Sequence, residues 1–267
     1  MARREPLRAL VLAGRFFRIG ALNELQYRAN FAMQLFQSAI ALGTGLAVLA
    51  LVFGQTTELN GWSQPELLIV MGVHILMGGV IATLIQPNMV RLMEDIRLGT
   101  LDFVLTKPED AQVLVSVREI RIWQAVDWLV GAVVILFGVT QLPVSIGPGQ
   151  AFAFGLAFVL GGLTIYCFWL ILTVGAFWVV RMDQIVELFD GVYQSGRWPV
   201  TIYPGWLRVS LTFLVPIAFA VTVPAQALTG RLTPDTLALA AGFAVALLAF
   251  TRWWWRFGLR RYAGASA

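Results

Sequence analysis

Reactive side chains are scarce in this 267-residue sequence, which contains one histidine, one cysteine and one lysine. A single histidine far from a single cysteine cannot supply the ligands of a zinc site, so we predict no metal site. One cysteine also excludes an internal disulfide. The lysine, Lys107, is followed by proline, which excludes the phosphate-binding pattern G-x-x-x-x-G-K-[ST]. The sequence therefore favours a protein that is not an enzyme and binds no cofactor itself.

Charge is scarce as well, because only 13% of the residues are charged whereas 58% are hydrophobic. Soluble domains carry about 25% charged residues. Five apolar runs approach the length of about 20 residues that a spanning helix needs. They are residues 31–54, 66–86, 122–142, 151–180 and 234–255. The lipid interior holds no water to bond backbone polar groups, and a helix satisfies these groups internally. These runs therefore predict an all-α integral membrane protein.

Two segments compete to be a further span. Residues 209–228 are apolar but contain Pro216 and Pro224. Residues 184–201 are more polar, although their polar side chains recur every three or four positions and so share one helix face. Such a face can line a bundle interior or lie on the membrane surface. Composition favours 209–228, and both alternatives stay open on these grounds.

Most basic residues lie before residue 30, within 87–121 and after residue 251, whereas the 55–65 and 143–150 loops contain none. The positive-inside rule then places both termini and the 87–121 loop in the cytoplasm. Six spans across a bacterial cytoplasmic (inner) membrane fit this arrangement best. Because each basic cluster flanks a span, we expect a lipid bilayer and no nucleic acid as the partner of this charge.

The two ends of the chain are predicted to lie outside the bundle. Arg4, Arg8, Arg15 and Arg18 share one helix face, which predicts an amphipathic interfacial helix over residues 1–30 without a signal peptide. Residues 31–262 then form a single transmembrane domain, and residues 263–267 form a tail.

The 87–121 loop contains a short amphipathic stretch. Gly99 is suited to end one helix, and Thr100 is suited to cap the next. Leu101, Val104 and Leu105 then share an apolar face before Pro108 ends the turn. The pattern predicts a short, rigid helix that presents an apolar side to the cytosol. The helix fits a socket in a partner protein, or alternatively lies on lipid headgroups.

The letters of this stretch, GTLDFVLTKP, resemble the G-T-L-[ED]-x-L-L-x-x-P stretch of type-2 ABC exporter permeases. The resemblance implies a coupling helix that docks on a dimer of separate ATPase subunits, which would carry ATP and Mg²⁺. It also implies a second permease chain, identical or homologous. The implied docking residues are Gly99, Thr100, Leu101, Asp102, Val104, Leu105, Lys107 and Pro108.

A second stretch, residues 197–216, resembles the Pro, Pro-x-Trp and Asn-Pro series of the same family, although Val215 replaces the asparagine. The resemblance implies a re-entrant outer hairpin marked by Pro199, Pro204, Trp206 and Pro216. It also moves the fifth span to residues 184–201. The polar face of that span then gives the hypothesis for the substrate path, namely Glu187, Asp190, Tyr193, Gln194 and Arg197.

The function hypothesis is therefore the membrane permease subunit of an ABC exporter. The alternative is a secondary transporter or channel driven by an ion gradient, with Asp127, Glu187 and Asp190 as ion or proton sites. That alternative predicts an internal repeat of the spans, and none is visible in the sequence. A purely structural membrane protein would leave the 99–108 stretch without a role.

Overall fold

A computed structural model describes residues 28–143, 145–178 and 184–262 of the chain. These residues form helices and no strand, which confirms the all-α prediction. The predicted interfacial helix and the tail lie almost wholly outside the described residues. The helices are α1 (Arg28–Phe53), α2 (Gln64–Leu98), α3 (Asp102–Leu105), α4 (Ala111–Ser116), α5 (Ile122–Thr140), α6 (Pro148–Phe177), α7 (Gln184–Tyr193), α8 (Gly205–Leu214), α9 (Ala218–Leu228) and α10 (Pro234–Leu259).

Five of the described helices are long and apolar enough to cross a membrane, namely α1, α2, α5, α6 and α10. They correspond to the five apolar runs of the sequence. Helices α8 and α9 would make a sixth span only as a pair, and the pair is bent by 81°. Each member is about 15 Å long, which is half the thickness of the hydrocarbon core.

Helix α2 does not break at Pro87 and continues to Leu98 as a 35-residue helix. A π-helical turn at Ile81–Ile85 precedes the proline. Proline has no N–H to offer the Thr83 carbonyl, which instead accepts a hydrogen bond from the backbone N–H of Arg121 at 3.1 Å. At 1.5 Å per residue α2 is about 52 Å long, so about 20 Å extends beyond a bilayer core.

Helices α2 and α5 pack with their backbones in contact. A Cβ atom on Gly131 would lie 2.5 Å from the Leu76 backbone nitrogen, and one on Gly72 would lie 2.8 Å from that of Ile135. Small residues permit this approach in lipid, where close van der Waals packing drives helix association. A similar contact joins α6 to α9, because a Cβ atom on Gly161 would lie 2.4 Å from the Phe219 carbonyl. Gly161 therefore permits the close approach of α6 and α9.

We call the end of the bundle that carries residues 99–121 the basic end, and the other end the 55–65 end. Helix α7 runs antiparallel to α2 between them. Its Asp190 contacts Gln86 of α2 and its Tyr193 contacts His74. Farther along the chain, the Thr201 hydroxyl accepts a hydrogen bond from the Trp62 indole at 3.0 Å. Residues 184–201 therefore cover nearly the full depth of α2.

Both flanks of the bent α8–α9 pair contact the 55–65 end. Before α8, the Thr201 carbonyl accepts a hydrogen bond from the Asn60 side chain at 2.7 Å. After α9, the Arg231 guanidinium binds the Glu66 carboxylate, with the Nε to Oε1 distance at 2.7 Å, and stacks over the Trp62 ring. The chain therefore enters and leaves the bent pair at the same end of the bundle.

The close α2–α5 contact generates a prediction for Gly131. A Gly131→Ala variant places a methyl group against the α2 backbone, which cannot move aside as a side chain can. Overpacking of this kind costs about 1–3 kcal/mol, so we expect a lower thermal unfolding midpoint in detergent. Gly155→Ala in α6 is the matched control, because nothing lies within 4 Å of the added atom. Equal midpoints in the two variants would contradict the close contact.

Candidate functional site

The predicted helix end at Gly99 is present at the basic end. Gly99 adopts φ 71°, the left-handed conformation that suits glycine at the end of a helix. The prediction that Thr100 caps α3 is wrong. Leu101 is the N-cap residue of α3, and its side chain forms no capping hydrogen bond. The Thr100 hydroxyl instead donates a hydrogen bond to the Asp95 carboxylate at 2.8 Å.

Asp95 holds this turn together. Its carboxylate is 4% exposed and also accepts a hydrogen bond from the Arg118 guanidinium at 2.6 Å. Its carbonyl oxygen accepts the N–H of Thr100 at 2.9 Å. A carboxylate in the last turn of a helix opposes the helix dipole and needs a cation. An acid at this position of a predicted helix end could therefore have indicated a paired Asp95. The motif-based prediction included neither Asp95 nor its partner Arg118.

The apolar face predicted for the short helix does not face the solvent as a whole. Leu101 is fully buried and Val104 is 4% exposed, so both belong to the core. The expectation that Leu101, Val104 and Leu105 together face the cytosol is therefore corrected. Large apolar side chains do project here, namely Leu98 at 64%, Phe103 at 75% and Leu105 at 37% exposure. We call these three residues the apolar patch.

The other residues predicted for docking lie around this patch. Lys107 and Pro108 are exposed in the turn after α3, whereas Thr100 and Asp102 are half-buried. Position 103, one of three variable letters of the motif, contributes the most exposed of the large apolar side chains in the stretch. Of the fixed letters, Gly99 ends α2 and Leu101 is buried, whereas Leu105 projects into the patch.

Residues after the patch fasten the segment to three helices. Asp110 caps α4 through the Gln112 N–H at 2.9 Å and also forms an ion pair with Arg252 of α10. The Ser116 hydroxyl bonds to that of Tyr166 of α6 at 2.8 Å. Asn88 of α2 pairs with the backbone of residue 119 through both its amide nitrogen and its oxygen.

The charge of Arg252 has a measurable consequence for its partner. Hydrogen bonding to this guanidinium holds the pKa of the Asp110 carboxyl below its usual value. A depressed pKa means that the contact stabilises the folded protein above the usual carboxyl pKa, and that this contribution disappears as the pH falls through the lower, folded-state value. The ion pair between Asp110 of α4 and Arg252 of α10 is therefore present at neutral pH.

A polar cavity of about 260 Å³ lies between α1, α2, α5 and α7. Four of the five residues predicted for the substrate path line it, namely Asp190, Tyr193, Gln194 and Arg197. Glu187 is exposed on α7 and is not among the lining residues. Polar side chains from other helices complete the lining and were not part of the substrate-path prediction: Gln34, Gln37, Ser38, His74, Gln86 and Asp127. Asp127 was predicted only as an ion or proton site under the gradient-driven alternative.

The inner wall of the cavity is a stack of rings. Tyr193 stacks on His74 with the ring centres 4.5 Å apart, and Phe189 stacks on Tyr193 with the ring centres 5.7 Å apart. The Tyr193 hydroxyl donates a hydrogen bond to the His74 carbonyl at 2.9 Å. Gly78 leaves room for the tyrosine ring, because a Cβ atom there would lie 3.4 Å from it. The wall is therefore rigid.

The residues predicted to mark an outer hairpin lie at or next to breaks between helices. Pro199 is buried beside Thr222 of α9, whose hydroxyl accepts the N–H of residue 200 at 3.1 Å. Pro204 immediately precedes α8, and Trp206 is 73% exposed in its first turn. Pro216 lies in the break between α8 and α9.

No group of three or more metal-binding side chains occurs in the described ranges of the chain. The His74 imidazole and the Cys167 thiol are both buried, in α2 and α6 respectively. The prediction of no metal site and no bound cofactor stays a prediction.

A family of proteins described as ABC-2 family transporter protein matches residues 39–266 of the chain. Since this match covers most of the sequence, the chain belongs to the ABC-2 transporter family. It is a multi-pass membrane protein that acts as a permease of an ABC transporter. Neither a curated protein nor a solved structure matches the chain.

The Asp95 arrangement generates a prediction that does not depend on transport. Asp95→Asn leaves Arg118 half-paired and removes charge-assisted hydrogen bonds, which contribute about 1.5–3 kcal/mol each. We expect faster amide hydrogen exchange in residues 99–121 and unchanged exchange in α5 and α6. Glu94→Gln is the control, since its neighbouring carboxylate is exposed and lies 3.8 Å from Arg91. Equal exchange in both variants would show that Asp95 does not organise the segment.

Proposed function

We propose that this chain is the permease subunit of an ABC exporter and that the apolar patch docks on a separate ATPase subunit. Family membership implies an ABC transporter system with an ATPase partner. The observation that supports the docking site is an exposed apolar patch held on a turn whose carboxylate, Asp95, is buried and paired. Exposed apolar side chains on a rigid support are typical of protein interaction sites.

The length of α2 favours a protein partner over lipid headgroups for this patch. The helix extends about 20 Å beyond the hydrocarbon core if it crosses perpendicular to the membrane. Headgroups and interface add only about 5–8 Å on each side of the core. The patch therefore lies beyond the lipid surface, where a cytoplasmic protein can reach it.

Movement of the docked segment would be transmitted to the bundle through the contacts already described. Asp95 and Asn88 join it to α2, Asp110 joins it to α10, and Ser116 joins it to α6. Closure of the ATPase dimer on ATP and Mg²⁺ would push on the patch and tilt these helices together. Export then results from alternation between inward-open and outward-open states, which is coupling of two sites through a two-state element.

We further propose that α8 and α9 re-enter the membrane from the outer side and that residues 184–201 form the fifth crossing. Support comes from the two flanks of the bent pair, since both Thr201 and Arg231 contact the 55–65 end. A simple span would have its flanks at opposite ends. With 184–201 as a crossing, the described helices give six spans and the basic end faces the cytoplasm, as the positive-inside rule requires.

The cavity is proposed as one half of the substrate path, completed by a second permease chain that is identical or homologous. Two of the helices that line it, α1 and α7, expose apolar and polar surface that a second chain could cover. The cell location that follows is the bacterial cytoplasmic (inner) membrane, with both termini in the cytoplasm.

The docking proposal is tested with Phe103→Asp. This substitution places a charge in the centre of the patch without disturbing the core, so the permease should insert and fold normally but lose its ATPase. We expect at least tenfold less ATPase recovered with the tagged permease, which corresponds to about 1.4 kcal/mol of binding free energy. Recovery is measured by mass spectrometry after gentle purification from native membranes.

Val113→Asp is the matched control for this test, because Val113 is 40% exposed at the same end of the bundle but lies on α4 and outside the patch. Leu101→Asp is unsuitable, because a charge at a fully buried position would unfold the segment. Equal ATPase recovery with Phe103→Asp and Val113→Asp would refute docking at the patch. A permease recovered alone and active in vesicles without ATP would support the gradient-driven transporter instead.

A further inference from the structure

The polar cavity contains two carboxylates that lack a cationic partner. The Asp127 carboxylate of α5 accepts hydrogen bonds from the Ser38 hydroxyl and from the Gln34 amide, the latter at 3.1 Å. The Asp190 carboxylate of α7 has the Gln86 amide at 3.5 Å. In the described part of the chain no arginine or lysine forms an ion pair with either carboxylate.

Carboxylates at membrane depth are costly unless a positive charge or water compensates them. Two buried carboxylates outside the cavity are each paired with an arginine, Asp95 with Arg118 and Glu66 with Arg231. Asp127 and Asp190 have no such partner among the described residues. They instead have amides and a hydroxyl as neighbours, which orient a carboxylate but leave its charge available.

The cavity also contains one cation, and it lies at a different depth. Arg197 acts electrostatically on His74, whereas Asp190 lies near Gln86 and Asp127 lies near Gly79. Along α2, Gly79 and Gln86 are about 7 and 18 Å closer to the basic end than His74. The negative charges therefore face the basic end, and the positive charge lies toward the 55–65 end.

A further polar atom in the wall lacks a partner. His74 is 6% exposed, lines the cavity, and its Nδ1 atom has no hydrogen-bond partner in the part of the chain that the structure describes. This atom is closed off from the cavity, because it packs against Gly196, where an added Cβ atom would lie 3.4 Å away. It therefore takes no part in binding a molecule in the cavity.

We propose that the cavity binds a positively charged group of the transported substrate between Asp127 and Asp190, with Arg197 limiting how far the group can move toward the 55–65 end. The substrate is then an organic cation or a zwitterion that presents its amine to the basic end. The proposal rests on the proposed function in treating the cavity as the substrate path, and it requires no particular ATPase.

The test measures the charge preference of the cavity directly. Ala41→Cys and Ala82→Cys, each with Cys167→Ala, place single thiols on two sides of the cavity. Native membranes without ATP are treated with the cationic reagent trimethylammonioethyl methanethiosulfonate or the anionic reagent sulfonatoethyl methanethiosulfonate. Rates are divided by the rate of each reagent with the small free thiol 2-mercaptoethanol in the same buffer, which corrects for the intrinsic reactivity of each reagent. We expect the cation to react about tenfold faster or more, because low-dielectric clefts concentrate counter-ions to this extent.

Charge removal then identifies the groups responsible. Asp127→Asn with Asp190→Asn keeps the shape of both side chains and should abolish or reverse the cation preference, because Arg197 is then the remaining charged side chain among the described residues that line the cavity. Glu187→Gln is the matched control, because this residue lies on α7 but not among the residues that line the cavity. It should leave the preference unchanged. Size-exclusion profiles of all variants establish that they fold.

Three results would overturn the proposal. They are equal or anion-favouring rates in the starting proteins, a cation preference that survives removal of both carboxylates, and complete protection of both thiols. None of them bears on docking, which depends on Phe103. Loss of the ATPase partner and loss of the cation preference are therefore separate findings.

Discussion

The buried pairing of Asp95 with Arg118 is the interaction on which the basic end depends. An acid in the last turn of a helix is unfavourable by itself, and this one is tolerated because the returning chain brings a guanidinium to it at 2.6 Å. The same carboxylate binds Thr100, and the same residue's carbonyl binds the turn after Gly99. One residue thus fixes both the end of α2 and the direction in which α3 leaves it.

Specific contacts also hold the part of the bundle between its two ends together, but they involve different groups. Close backbone contacts, such as that of Gly131 with α2, hold the helices together where apolar side chains gain nothing over lipid. Charges within the bundle are paired where they serve structure, as Glu66 and Arg231 are. The cavity between α1, α2, α5 and α7 is the place where pairing within the protein stops.

Much of the fold was predictable because hydrophobic length is a strong signal in membrane proteins. Each apolar run became a long helix, and Gly99 ended α2 as its position indicated. The side of α3 that faces outward was not predictable, since Leu101 and Phe103 are both apolar and only the tertiary contacts bury one of them. Asp190 and Tyr193 recur at helical spacing, so the sequence could group them on one face, whereas Asp127 and Gln34 come from distant helices.

The π-helical turn in α2 has a mechanical meaning. The helix is fastened at Thr83, where Arg121 bonds the carbonyl that Pro87 cannot serve. From that point the helix extends about 22 Å to Leu98 and about 28 Å to Gln64. A rigid helix pivoting there would be a lever with arms of similar length, so a displacement at the ATPase side would reappear, reversed and slightly enlarged, at the opposite face of the membrane.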